Sequence, residues 1–292
     1  MTVVLQVSDP HFGCERPAVV RALERLAIEL RPDLLLMSGD ITQRARRSQF
    51  GRARAFVDRL QMPAELVIPG NHDIPLFNLA ARLFFPYRNH RRAFGHELEP
   101  QFETADLQLL GLNTTRWWRH ADGEVSAEQI SRVARQLEAG RQARPSQWRV
   151  IVVHQPVAVT RPQDRHNLLH GHAAAVQRWS AAGADLIVGG HIHLPFVLPL
   201  RERWPALPHP VWAVQAGTAV SRRVRSEAGN SVNVIRVAAG SVRGGQADTA
   251  AGPDSETRHC QVERWDHVAE TERFERVAVH RLGGTAGVDR GG

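Results

Sequence analysis

No lysine occurs in this 292-residue chain; its 37 basic residues are all arginine. The formal net charge of +7 would attract a polyanion. The arginines, however, are spread along the chain, and an all-arginine basic set reads as the codon bias of a GC-rich genome. Nucleic acid is therefore not the favoured partner. Cysteine is scarce as well. Cys14 and Cys260 cannot build a disulfide framework, and Cys14 reads as an ordinary reduced thiol. No apolar run approaches the roughly 20 residues that cross a bilayer, so no membrane-spanning helix is expected. The chain passes from Met1-Thr2 straight into strand residues, without a basic n-region or an apolar h-region, and a cytoplasmic protein is the expectation. What is present suffices for one large domain, since 42% of the residues are hydrophobic.

Five short blocks carry metal-ligand chemistry: Asp9-Pro10-His11, Gly39-Asp40, Gly70-Asn71-His72-Asp73, His154, and Gly190-His191-Ile192-His193. Each follows an apolar run that reads as a strand: Val3-Val4-Leu5, Leu34 to Met37, Leu66-Val67-Ile68, Val150 to Val153, and Leu186-Ile187-Val188. Ligands at the carboxyl ends of successive strands converge on one sheet edge, where open α/β sheets hold ligands. Taken singly, the blocks are weak. Asp-x-His is most often a surface turn, Asp40 would serve equally as an N-cap for Thr42 to Leu60, and a lone His154 is more often a core histidine. His191 and His193, two apart on an extended segment, would point to the same side. Jointly and in this order, the blocks point to a dinuclear metal site.

The set resembles the signature of the calcineurin-like metallophosphoesterase superfamily, D-x-H, G-D, G-N-H-D, H and G-H-x-H, over residues 1 to 220. That resemblance implies one metal on Asp9, His11, Asp40 and His193. It implies a second on Asp40, Asn71, His154 and His191, with Asp40 bridging. It also implies that His72 is a non-ligand histidine near the scissile phosphate, oriented by Asp73; a plain turn residue is the other reading of Asp73. Carboxylate, amide and imidazole ligands suit Mn, Fe or Zn. Two such ions about 3.5–4 Å apart would clamp an in-line displacement, and a water between them would ionise near a pH of about 7. His72 as a proton donor would contribute on the order of 10²–10⁴-fold.

Departures narrow the branch. Purple acid phosphatases place a tyrosine three residues after the bridging aspartate, where Gln43 stands here. Protein Ser/Thr phosphatases read G-D-x-V-D-R-G and G-N-H-E, unlike Gly39 to Gln43 and the motif ending in Asp73. The context around Asp40 and Asn71 is most similar to bacterial class III cyclic-nucleotide phosphodiesterases. Those often carry a second histidine after the fourth-motif ligand, and Gln155 replaces it. The implied activity is hydrolysis of a small phosphodiester, such as a 3′,5′-cyclic nucleotide, by a metal-bridging hydroxide. Hydrolysis of nucleotide-linked pyrophosphates or nucleic-acid ends, and a non-catalytic scaffold, are the alternatives. The resemblance also leaves a homodimer open.

Strand and helix alternate through the first half. Helices are expected over 17–31, 50–60, 126–141 and 173–182, the third opened by a Ser126/Gln129 capping box. Strands are expected over 102–113, 211–215 and 231–237. The expected fold is an α/β/β/α sandwich of two mixed sheets with helices outside. Its core spans 1–237, with a mobile Gly/Ala-rich loop over 238–259, a hairpin over 260–282 and a frayed tail over 283–292. Val262, Trp265, Val268, Val277 and Val279 would cover one face of that hairpin; an added element that covers the site or builds a dimer contact is the other reading of the segment. Arg44, Arg46, Arg47, Arg52 and Arg54 form either a solvated helix face or a phosphate-pairing set. Arg116 with Trp117 and Trp118 lies at a strand end on the site side, and the tryptophan pair reads first as packing. Gly217 and Thr218 occupy a comparable strand-end position.

Overall fold

A computed structural model describes residues 1–240 and 258–283. Apart from their first or last residues, the loop expected over 238–259 and the tail expected over 283–292 lie outside the described residues.

Alternation within the strands builds the layers. In β1 (Thr2–Val7), Val3, Leu5 and Val7 join one core cluster, while Val4 joins another. The first cluster packs against α1 (Pro17–Leu30) and α2 (Arg47–Leu60), through Val19, Leu23 and Leu26 of one helix and Phe50 and Phe56 of the other. Truncating the fully buried Leu23 to alanine would cost about 2–5 kcal/mol. The second cluster lies between two sheets. Val4, Leu34, Leu36, Leu66 and Ile68 meet Leu107, Leu109, Val150, Val152, Leu186 and Val188 there. On the far side, Leu110, Ile151 and Ile187 pack against α5 (Ala127–Ala143) and α6 (His172–Ala182) through Val133, Leu137, Val176 and Trp179. The result is a four-layer α/β/β/α sandwich.

Each sheet has six strands. In the first, β1 runs parallel to β2 (Leu34–Ser38), which runs parallel to β3 (Glu65–Ile68). The second is built on β5 (Leu107–Gly111), β6 (Trp148–Val152), β7 (Leu186–Gly189) and β9 (Trp212–Gln215), all parallel in that order. Antiparallel β4 (Gln101–Glu103) and β8 (Phe196–Pro199) complete it. Antiparallel β10 (Ser231–Ala238), β11 (His259–Val268) and β12 (Arg273–Leu282) extend the first sheet from β1.

Local signals operate where expected. Ser126 Oγ accepts from the Gln129 amide at 3.2 Å, and Gln129 Oε1 accepts from the Ser126 amide at 3.0 Å, closing the capping box. The first helix stops at left-handed Arg31, before Pro32. Two short helices over Leu79–Phe84 and Arg88–Phe94, α3 and α4, were not expected, and α3 buries none of its residues. With no core to face, it carries no amphipathic period to read.

The C-terminal hairpin departs from the expected single apolar face. Val262 enters the core between the sheets and Trp265 packs on the helical side, because successive positions of a strand face opposite ways. Val277 and Val279 are exposed on the edge strand. Among the described residues the hairpin makes no hydrogen bond to a motif residue: it pairs with β10 and reaches α1 through Arg273 and Glu29 at 2.5 Å.

Candidate metal centre

The motif residues come together from both sheets rather than from one sheet edge. Asp9, Asp40 and Asn71 follow β1, β2 and β3, whereas His154 and the His191–His193 turn follow β6 and β7. Parallel strands of both sheets end at the same end of the sandwich, and their loops interlock there. The Asp9 amide donates to the Gly39 carbonyl (3.1 Å), and the Gly190 amide to the His154 carbonyl (3.0 Å). Glycine makes the approach feasible. A β-carbon at Gly70 would fall on Asp40, one at Gly39 on the His154 ring, and one at Gly190 on Ser8 and Asp9.

Three groups of side chains have the geometry to hold a cation: Asp9, His11 and His193; His11, Asp40 and His72; and Asp40, His154 and His191. Asp40 stands between them. Its Oδ2 lies 3.7 Å from His11 Nε2 and its Oδ1 3.3 Å from His154 Nε2. Asn71 Oδ1 lies 3.3 Å from His154 Nε2 and 3.1 Å from His191 Nδ1. His193 Nε2 approaches Asp9 Oδ1 at 3.3 Å and His11 Nε2 at 3.1 Å. His191 and His193 thus serve different groups. The expectation of a common side fails because neither is extended: their φ values are 72° and 55°.

Backbone strain is concentrated here. Asp9, His11, Asp40, His191 and His193 all have left-handed φ, five of nine such non-glycine residues among those described. Each costs of order 1–3 kcal/mol and persists only where the surroundings enforce it.

Groups outside the motifs set the imidazoles. His154 Nδ1 donates to the Ser38 carbonyl (2.9 Å), and His193 Nδ1 to the Arg223 carbonyl (2.5 Å). Both therefore turn Nε2 into the site, as carbonyl-bound imidazoles do around metals. Burial pushes His11 and His191 down to about 3, which leaves them neutral with free lone pairs. Burial also opposes charge on His154, but the Asp40 carboxylate overcomes it and raises this group to about 9. Against the same burial, His193 holds Asp9, and His154 holds Asp40, below the usual carboxylate range.

The donor set fits a cation and fits poorly without one. Asp9 Oδ1 and His11 Nδ1 are buried with no hydrogen-bond partner. His11 Nε2 and His193 Nε2 face each other at 3.1 Å beside the Asp9 and Asp40 carboxylates, and His154 Nε2 faces the oxygens of Asp40 and Asn71, each at 3.3 Å. A cation between these nitrogens and oxygens would give Asp9 Oδ1 a partner and take up the imidazole lone pairs, and the mixed carboxylate, amide and imidazole donors suit Mn, Fe or Zn.

Other expected roles change. Asp73 does not orient His72. Its carboxylate accepts from the amides of Ile41 (2.9 Å), Thr42 (2.8 Å) and Gly70 (2.9 Å) and from the Thr42 hydroxyl (2.8 Å), bolting the second motif to the third. Burial and the Asp40 charge push it up to about 7, but four donors leave no acceptor for a carboxyl proton, so the hydrogen bonding favours the ionised form. The residue that orients His72 is Gln43, whose carbonyl accepts from His72 Nδ1 at 2.9 Å. His72 Nε2 accepts from the Arg223 guanidinium at 2.8 Å. Asp40 caps no helix, since Arg46 stands at that position of α2.

Gln155 is fully buried, held by the Thr114 hydroxyl at 2.6 Å, and does not face the cleft. Arg116 is spent on the carbonyls of Asn113 and Thr115 and on Gln129. Arg52 and Arg54 pair with Glu15 and Glu65. From the basic run, Arg44 lines the depression beside His72 and lies over the Phe77 ring at 5.5 Å. Trp117 and Trp118 are 41% and 57% exposed, so they are not core. The roles of Ser38, Gln43 and Arg223 escaped the sequence reading because all three act through backbone carbonyls, which no residue type announces. Arg223 lies just beyond the Gly217-Thr218 strand end that was singled out.

The calcineurin-like phosphoesterase family model matches residues 2–195. The chain belongs to this family. A Synechococcus protein named as a probable cyclic nucleotide phosphodiesterase is 26% identical over 208 residues, covering 66% of this chain and 74% of that one. Among solved structures, a dimetal phosphatase from Danio rerio superposes with a TM-score of 0.64 at 12% identity, covering 97% of this chain and 99% of the other. A purple acid phosphatase from yellow lupin seeds superposes at 0.68 and 10% identity, covering 97% of this chain and 53% of its own. At such identities these structures speak for the fold. The chain is thus a metal-dependent phosphoester hydrolase by family. No helix among the described residues is long and apolar enough to cross a membrane.

Proposed function

We propose that this calcineurin-like phosphoesterase hydrolyses a small phosphodiester, with a 3′,5′-cyclic nucleotide as the preferred class. In this reading Asp9, His11, Asp40 and His193 hold one ion, and Asp40, Asn71, His154 and His191 the other. The observation that carries it is the position of Asp40, whose two oxygens face separate imidazole groups. Mn, Fe or Zn would serve, in a cytoplasmic enzyme whose partner is its substrate or a second copy of itself. The Synechococcus relative supports the nucleotide class.

Bound divalent ions would supply positive charge for the phosphoryl oxygens and acidify water. The chain's own contribution is positional. Ser38 and Arg223 carbonyls aim two imidazoles inward, and Asp73 locks the Asp40 and Asn71 loops together. The His72 amide donates to Asp40 Oδ1 at 2.8 Å, and the His72 ring packs edge-on to His11, with centroids 4.8 Å apart. His72 is thereby held beside the ligands without needing to be one.

The test is turnover by Mn²⁺-supplied protein of an aryl phosphodiester, an aryl phosphomonoester, 3′,5′-cyclic AMP, 2′,3′-cyclic AMP and a short single-stranded DNA. His72→Ala runs beside it and should cut turnover on the order of 10²–10⁴-fold at unchanged metal content. Preference for diesters with cyclic AMP cleaved supports the proposal. Cleavage of DNA alone would move the assignment to a nuclease, and retention of no metal would leave a scaffold.

A further inference from the structure

Arg223 is presented to the site by a heavily anchored loop. The Thr218 hydroxyl donates to the Asp9 carbonyl (2.7 Å) and pairs with the Ser221 hydroxyl (2.7 Å). Asn230 Nδ2 donates to the Ser221 carbonyl at 2.8 Å, and Arg225 pairs with the buried Asp164 at 3.0 Å. The Arg223 carbonyl itself holds His193 Nδ1. Its main chain is thus tied to the metal centre on two sides, and its side chain is aimed across the mouth.

Among the described residues, no carboxylate pairs with the guanidinium at the end of that side chain. Its contacts among the described residues are His72 Nε2 at 2.8 Å and Gln43 Oε1 at 3.4 Å. Neighbouring Arg225, by contrast, is fully committed to Asp164 and Glu227. Two neutral acceptors are weak partners for a guanidinium, whose planar fork is matched to an oxyanion. The contact also fixes His72. A carbonyl at Nδ1 and a guanidinium at Nε2 are compatible only with the neutral, Nδ1-protonated ring.

We infer that Arg223 binds a phosphoryl oxygen of the substrate, exchanging its contact with His72 for the anion and releasing His72 Nε2 toward the reacting group. The inference rests on the phosphoester reading of the same site. It assigns Arg223 to substrate binding and no proton transfer to it. A free guanidinium beside a phosphodiester supplies the charge-assisted hydrogen bonds that a neutral histidine cannot.

The experiment compares wild type, Arg223→Ala and Arg223→Lys, all loaded with Mn²⁺. Calorimetry measures binding of inorganic phosphate, and kinetics measures KM and kcat for an aryl phosphodiester. Arg223→Ala should weaken phosphate binding on the order of 10–100-fold with bound manganese unchanged, and Arg223→Lys should recover part of the loss. Unchanged phosphate affinity in the alanine variant would overturn the inference. So would loss of manganese in that variant, which would reduce Arg223 to a support for His193. If no phosphodiester is turned over, the function proposed above fails, while phosphate binding still decides the part played by Arg223.

Discussion

One short strand has a buried charge cluster at each end. At the amino end of β7, each oxygen of Asp185 accepts two donors. Oδ1 takes His209 Nε2 (3.0 Å) and Arg258 Nη1 (3.1 Å); Oδ2 takes Arg258 Nη2 (2.6 Å) and the Arg149 amide (2.8 Å). Arg258 also lies over the Trp148 ring at 4.4 Å, and the buried donors left without partners here, Arg149 Nε, Arg258 Nε and Trp148 Nε1, do not face an unmatched carboxylate oxygen of Asp185. Burial works against the Asp185 charge, yet His209 and Arg258 hold the group below its ordinary value. At the carboxyl end the balance is the reverse. Several imidazoles surround two carboxylates, acceptors face acceptors, and five residues sit in left-handed backbone. In the first cluster both oxygens of the carboxylate are matched by ion pairs and hydrogen bonds, so its charge is already met. The second is strained and incomplete, and its unmet partners define what it would bind.

Breaking each cluster should therefore give different losses. Asp40→Asn should have the largest effect. On the proposed two-ion reading, loss of the shared carboxylate would weaken both ions, and turnover should fall roughly 10³-fold or more, since each ion would contribute several kcal/mol; metal analysis and aryl-diester kinetics read this. Asp185→Ala should act on stability alone. It strands the buried Arg149 charge, costing about 3–5 kcal/mol in denaturant unfolding, while the folded fraction keeps its metal. Loss of metal in proportion would mean that the two ends are coupled through β7.

A smaller effect is expected from Gly190→Ala, whose β-carbon falls on Ser8 and Asp9. Metal affinity should drop about 10–100-fold, and denaturant unfolding of the metal-free chain should show a loss of about 1–3 kcal/mol from the crowding. The smallest effect is a proton count. His154 holds its proton up to about pH 9 in the folded, metal-free chain, so an ion entering below that pH must expel it. Apparent affinity should rise about tenfold per pH unit and flatten above it, with about one proton released per chain in paired-buffer calorimetry. No release would mean that His154 is not displaced as a ligand.

His154 also illustrates what was legible. The residue, its strand and its fourth place in the order were readable, because an apolar run followed by an imidazole is a local pattern. The same is true of Asp9, Asp40 and Asn71, and of the capping box at Ser126. Asp73 reads in the sequence as the orienter of His72, but it bonds other partners. Its neighbour in the chain is His72, whereas three of its four hydrogen bonds run to a loop 31 and 32 residues away. Gln155 shows the converse, a substitution beside a motif that folding turns away from the cleft.

The sequence by itself determined the ligand types, their order and the alternation that sorts each strand between helices and opposing sheet, since these depend on spacing along one chain. Only the tertiary structure decided that two sheets share the site and that His191 and His193 part company. It alone placed the Ser38, Gln43 and Arg223 carbonyls as the groups that aim the histidines. Backbone carbonyls are present at every residue, so which of them matter is settled only when distant loops pack together.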